Sequence, residues 1–135
     1  MSEKRLTPST DEPSRAPPTP SEAFDALADS RRRRVCRLLL EHQSALALSD
    51  VADEVAAAEH DGRFADIPET AVARTYTSLY HTEIPRLADA GLLEYDQEVD
   101  AVAPTGHLES VAPLLDRARE YEKQASERDG ASERK

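Results

Sequence analysis

Helical periodicity runs through most of residues 21–125, and one stretch after Gly91 changes to a period of two. These two patterns predict a mainly α domain carrying a small β-hairpin. The flanks supply a third observation. Five of the nine prolines fall within residues 1–20, among Ser, Thr and balanced charges. Such a composition buries too little apolar surface to offset the entropy of ordering. Residues 1–20 and the polar residues 126–135 are therefore expected to be disordered tails. The domain between them, 21–125, is long enough for one modest core.

Each element has its own signal. Ser21 is expected to cap a first helix with Ala23, Phe24, Leu27 and Ala28 on one face. Asp29 or Ser30 starts a second, whose stripe is Val35, Leu38, Leu39 and His42. Residues 45–48 can pair as a short strand. Ser49 is placed as the cap of a third helix, with Val51, Ala52, Val55 and Ala56 inward and Asp50, Asp53 and Glu54 at its positive end. A polar loop containing Asp61, Gly62, Asp66 and Pro68 leads to the longest pattern, Val72, Tyr76, Leu79, Tyr80, Ile84 and Leu87. Gly91 is its stop. Pro85 lacks an N–H and should kink or divide it. Strands over 92–96 and 99–103 flank the turn residues Gln97 and Glu98, and Pro104, Thr105 and Gly106 end the hairpin. A last helix carries Leu108, Val111, Leu115, Ala118 and Tyr121 or Glu122, with Pro113 near its start. This order is that of a winged helix-turn-helix with an added C-terminal helix.

Composition narrows the functional classes. The net charge is −10, and of 17 basic residues only Lys4, Lys123 and Lys135 are lysine. An acid excess with so little lysine suggests a protein suited to concentrated salt. A uniformly acidic surface would repel phosphate, but residues 30–42 hold five arginines against one glutamate. The single Cys36 excludes an intrachain disulfide and a cysteine-rich zinc site. It reads as a small buried apolar residue, although arginine neighbours would lower its pKa were it exposed. The four histidines, at 42, 60, 81 and 107, are scattered, and the four glycines form no phosphate-cradling loop. No catalytic residue, metal or cofactor is assigned, and an enzyme is not expected. The chain has no apolar leader and no run near the ~18 apolar residues of a membrane span. A soluble cytoplasmic protein without a membrane partner is expected.

The run from Ser78 to Asp96 carries a resemblance. Ile84, Leu87, Ala90, Gly91, Leu92 and Leu93 match the Leu-x-x-Leu-x-x-Ala-Gly-Leu-Val ending of recognition helix and first wing strand in arsenic-repressor-type winged helices. Upstream, the run from Phe24 to Arg33 resembles the Ala-Leu-Ala-Asp-Pro-x-Arg-Arg opening of the same families. Tyr80, His81, Pro85, Leu87, Ala88, Ala90 and Gly91, followed by Glu94-Tyr95-Asp96, look more closely like a haloarchaeal winged-helix domain of unknown function. The resemblance covers roughly residues 21–112. It implies a DNA-binding transcriptional regulator, a homodimer joined through its C-terminal helix, with a recognition helix of about 69–90 in the major groove of double-stranded DNA.

A recognition helix needs one face for its own core and another for the groove. The outward face holds Arg74, Thr77, Ser78, His81, Thr82 and Arg86, which can bond base edges or phosphates. The plainer alternative is the solvated side of an amphipathic helix. The resemblance puts Glu83 on the groove side too, at the place where the arsenic-repressor-type relatives often carry a histidine; a carboxylate there accepts only from a cytosine amino group and is repelled by phosphate. Arg33 and Arg37 share a face and are candidate phosphate ligands. The alternative is pairing with the protein's own acids, Arg37 with Glu41 among them. Glu94, Asp96, Glu98 and Asp100 give the hairpin four negative charges and no basic residue. That opposes DNA binding in dilute salt, but in molar salt the Debye length is only ~3 Å. Tyr95 and Val99 are expected to hold the hairpin against the domain. The rival function is a degenerate winged helix acting through a protein partner.

Overall fold

A computed structural model describes residues 16–60 and 67–133. The expected tail through residue 15 and the loop residues Asp61, Gly62 and Asp66 lie outside the described residues. Helix α1 (Pro20–Ala26) is capped by Thr19, not Ser21. The Thr19 hydroxyl accepts from the Glu22 N–H while the Glu22 carboxylate accepts from the Thr19 N–H. Pro20 fits this first turn because no partner is needed there for the N–H it lacks. The buried face is Ala23, Ala26 and Leu27, spaced i, i+3, i+4, and Phe24 falls off it and stays 60% exposed.

Asp29 caps α2 (Ser30–His42), its carboxylate accepting from the Arg31 and Arg32 N–H groups. The buried stripe is Arg32, Val35, Cys36 and Leu39, one position round from that expected; Leu38 is half-buried and His42 exposed. Strand β1 (Leu46–Ala47) leads directly into α3 (Leu48–Glu59). That helix starts ahead of Ser49 and without a side-chain cap. The Leu48 N–H instead donates to the Asp100 carbonyl at 2.9 Å, so sheet pairing fixes the start.

Residues 69–89 form a rod of three consecutive segments: α4 (Glu69–Ser78), a π-helical turn (Leu79–Glu83) and α5 (Ile84–Asp89). Pro85 does not divide the rod, since Ser78, Glu83 and Ile84 all keep right-handed helical dihedrals. The Ile84 N–H donates to the Leu79 carbonyl five residues back. The bond Pro85 cannot make therefore falls where the ladder is already changing step. The rod ends as expected at Gly91, whose φ is 82°. Leu92 N–H donates to Leu87 O and Gly91 N–H to Ala88 O, with Leu87 and Leu92 both fully buried. This is a Schellman closure with its apolar contact.

Strands β2 (Leu93–Asp96) and β3 (Ala101–Pro104) pair antiparallel, and β1 joins the other edge of β3. The β3 strand starts two residues later than the sequence suggests. Asp100 takes a left-handed φ of 53°, so residues 97–100 make a four-residue turn that leaves Val99 exposed. The expected last helix is two helices, α6 (Gly106–Ser110), capped by Thr105, and α7 (Ala112–Glu133). Pro113 is tolerated as the second residue of α7. Helix α7 runs on past Ser126, where fraying was expected.

One core unites these elements: Val35, Cys36 and Leu39 from α2, Leu48, Val51 and Val55 from α3, Leu79, Ile84 and Leu87 from the rod, with Leu92, Leu93, Val102, Leu108 and Leu115. The domain is mainly helical, with a small three-stranded antiparallel sheet that includes the hairpin and a C-terminal helix after it. Its arrangement is winged-helix-like.

Candidate functional site

The rod has two chemically distinct faces. Inward it contributes Thr75, Leu79, Glu83, Ile84 and Leu87. Outward, Ala73, Arg74, Thr77, Ser78, His81 and Thr82 line one open concavity. Five of the eight residues selected from the sequence are thus brought together. Arg86 is exposed on α5, four residues beyond Thr82 and outside the concavity. Neither Arg74 nor Arg86 forms an ion pair with any described residue. The concavity can offer hydroxyls, an imidazole and a guanidinium to an elongated polar ligand.

Glu83 is not on this face. It is 7% exposed, and its carboxylate accepts from Arg32 Nη1 at 3.4 Å and from the Ser78 hydroxyl at 2.9 Å. Arg32, 8% exposed, also donates to the carbonyls of Ala26 at 2.7 Å and Asp25 at 3.1 Å. A carboxylate on an apolar stripe must find donors, and here they come from α2 and from the rod itself. The sequence held the signal. Glu83 is four residues after Leu79 and four before Leu87, on the inward side of a helix.

Arg33 and Arg37 lie apart from the concavity's lining, against α7. Arg33 Nε donates to Glu122 at 2.8 Å and its Nη1 to the Leu27 carbonyl at 2.8 Å. Arg37 Nη2 lies 3.3 Å from Glu122 and donates to the Leu115 carbonyl at 3.2 Å. Burial lowers the Arg37 pKa, and Glu122 opposes that shift. Arg31 forms a two-pronged bond to Glu59 at 2.8 and 2.6 Å, which raises its pKa. Arg31, Arg32, Arg33 and Arg37 are therefore divided among three acids, Glu59, Glu83 and Glu122, drawn from three different elements. Burial also pushes the Cys36 thiol up to about 12, which leaves it unreactive.

Beside the concavity, sequence reasoning missed a junction between rod and hairpin. The Tyr76 and Tyr95 hydroxyls both donate to the Asp100 carboxylate. Those bonds hold the carboxyl below its usual range and both phenols above theirs. Tyr80 stacks on Tyr76 at 6.4 Å and meets His81 and Tyr95 edge-on at 4.8 and 5.9 Å. Sequence reasoning placed Asp100 in the second strand, not in the turn; its two partners were not visible either, because they come from a distant helix and the opposite strand.

A family model described as a domain of unknown function, DUF7344, matches residues 24–103. The chain belongs to the DUF7344 family. No curated protein and no solved structure matches it. The DUF7344 match contains the rod, the concavity and nearly all of the hairpin, whereas α6 and α7 follow it. Glu122, which engages Arg33 and Arg37, therefore comes from outside the matched segment. Among the described residues no group of three or more His, Cys, Asp or Glu could hold a metal ion. No described helix is long and apolar enough to cross a membrane.

Proposed function

We propose that the protein is a sequence-specific transcriptional regulator that binds duplex DNA as a homodimer, with the rod of residues 69–89 in the major groove. One observation carries this reading. Arg74, Thr77, Ser78, His81 and Thr82 share an exposed concavity on a rod whose other face is core. Hydroxyls and imidazole suit base edges, and Arg74 and Arg86 suit phosphates on either side. The resemblance of Ile84 through Leu93 to the recognition-helix ending of arsenic-repressor-type winged helices supports it. So does α7, whose length suits a dimer that sets two rods at two half-sites. Arg33 and Arg37 take no part in this reading as long as Glu122 holds them.

The test is selection from a randomised duplex pool in molar potassium chloride, followed by fluorescence anisotropy on the enriched sequence. Specific binding that weakens on Arg74→Ala supports the proposal; no enrichment at any salt overturns it. A second reading, a module that acts through a protein partner, is favoured by the acidic hairpin, where Glu94, Asp96 and Glu98 are exposed. It predicts capture of a basic protein and no selected sequence.

A further inference from the structure

Ser78 lines the concavity, yet its hydroxyl proton is committed to buried Glu83. In a regular α-helix residues five apart point about 140° away from each other. The π-helical turn spanning Leu79–Glu83, marked by the Ile84 N–H to Leu79 carbonyl bond, brings residue 83 round beneath residue 78. Arg32 then fixes the far oxygen of the same carboxylate. A guanidinium has no lone pair, and an ionised carboxylate has no proton to give. The single O–H of Ser78 therefore points inward. What remains toward the concavity is a lone pair.

Resting on the DNA-binding reading of this face, we infer that Ser78 is a specificity-determining residue that presents only a hydrogen-bond acceptor to the groove. Its partner is an exocyclic amino group, the N6 of adenine or the N4 of cytosine. Guanine and thymine offer O6, N7 and O4 there, all acceptors, which would face the Ser78 lone pair unpaired. The buried Arg32–Glu83 pair is thereby a positioning device: it never touches DNA, but it chooses which half of the hydroxyl DNA meets.

The test is affinity for every single-base variant of the selected duplex, measured for the wild type, Ser78→Ala and the double variant Arg32→Met/Glu83→Leu. The wild type should prefer adenine or cytosine by about tenfold at one position. Ser78→Ala should lose that preference there while the remaining positions keep theirs. In the double variant the hydroxyl can turn outward, and guanine or thymine should be accepted at the same position to within about twofold. If the double variant does not fold, Ser78→Ala alone decides. Loss of a guanine or thymine preference on Ser78→Ala means the hydroxyl donates outward and overturns the inference. So does an equal weakening at every position. If no sequence is selected by the wild type, the DNA reading fails and takes the inference with it.

Discussion

Glu83 and Arg32 illustrate how single side chains can be misread. Each lies on the apolar stripe of its helix, Arg32 with Val35, Cys36 and Leu39, and Glu83 between Leu79 and Leu87. Two opposite charges on two inward stripes form a matched pair, which sequence reasoning missed by placing Glu83 on the groove side. Removing Glu83 leaves the buried Arg32 charge with only the Ala26 and Asp25 carbonyls and no counter-charge. Glu83→Ala is expected to cost about 2–3 kcal/mol, read as a drop in urea midpoint at unchanged slope. The outward arginines should behave differently. Arg74→Ala and Arg86→Ala should leave stability within about 0.5 kcal/mol. Each should weaken binding to all duplexes alike and reduce the slope of log affinity against log salt by about one. Unchanged slopes for both would remove them from the phosphate contacts.

Among the elements, the rod and its two ends decide the geometry of the concavity. The Schellman closure needs the left-handed backbone of Gly91 at φ 82°, where a side chain is strained. Gly91→Ala should cost about 1–2 kcal/mol, visible in thermal melts, without touching the outward face. At the hairpin, Asp100 ties β2 to the rod through Tyr95 and Tyr76. Its folded pKa is depressed, so its stabilisation is complete above the ordinary carboxylate range near about 4 and is lost as pH falls through the depressed value. The phenols are raised, so their share is present below about 10 and is lost as pH rises through their folded values. Asn tolerates the left-handed backbone at this position. Asp100→Asn should therefore melt below the wild type at neutral pH, and the gap should close in acid below about pH 4. A gap independent of pH would detach the carboxylate from the junction.

For the domain, charge sets the terms of folding. The full chain carries a net charge of −10, and the exposed acids of the hairpin have no basic neighbour within their own strands or turn. Self-repulsion of this size is relieved by screening, since the Debye length falls from about 10 Å at 0.1 M to about 3 Å at 1 M. The melting temperature should rise steadily between dilute and molar potassium chloride, and unfolding in dilute salt should reverse when salt is restored. A midpoint unmoved by salt would remove the reading of a protein suited to brine. The bonds from Arg33 and Arg37 to Glu122 are partly sheltered and should persist at high salt better than exposed pairs.

Element order through the hairpin, the Gly91 stop, a short strand within 45–48 and the exposure of Arg74, Thr77, His81, Thr82 and Arg86 were legible from periodicity and turn chemistry, because those signals are local. The capping residues Thr19 and Ala47, the four-residue turn and the fate of the arginine run were not. Which helix end starts where depends on a carbonyl supplied by another element, as Asp100 supplies Leu48. Which acid an arginine meets depends on packing: Arg31 goes to Glu59, Arg32 to Glu83, and Arg33 with Arg37 to Glu122, across separations of 28 to 89 residues. A linear charge cluster states how many positive groups must be balanced or solvated. Only the assembled core decides which acids lie within reach, because desolvation makes each buried charge take the nearest partner the fold brings to it.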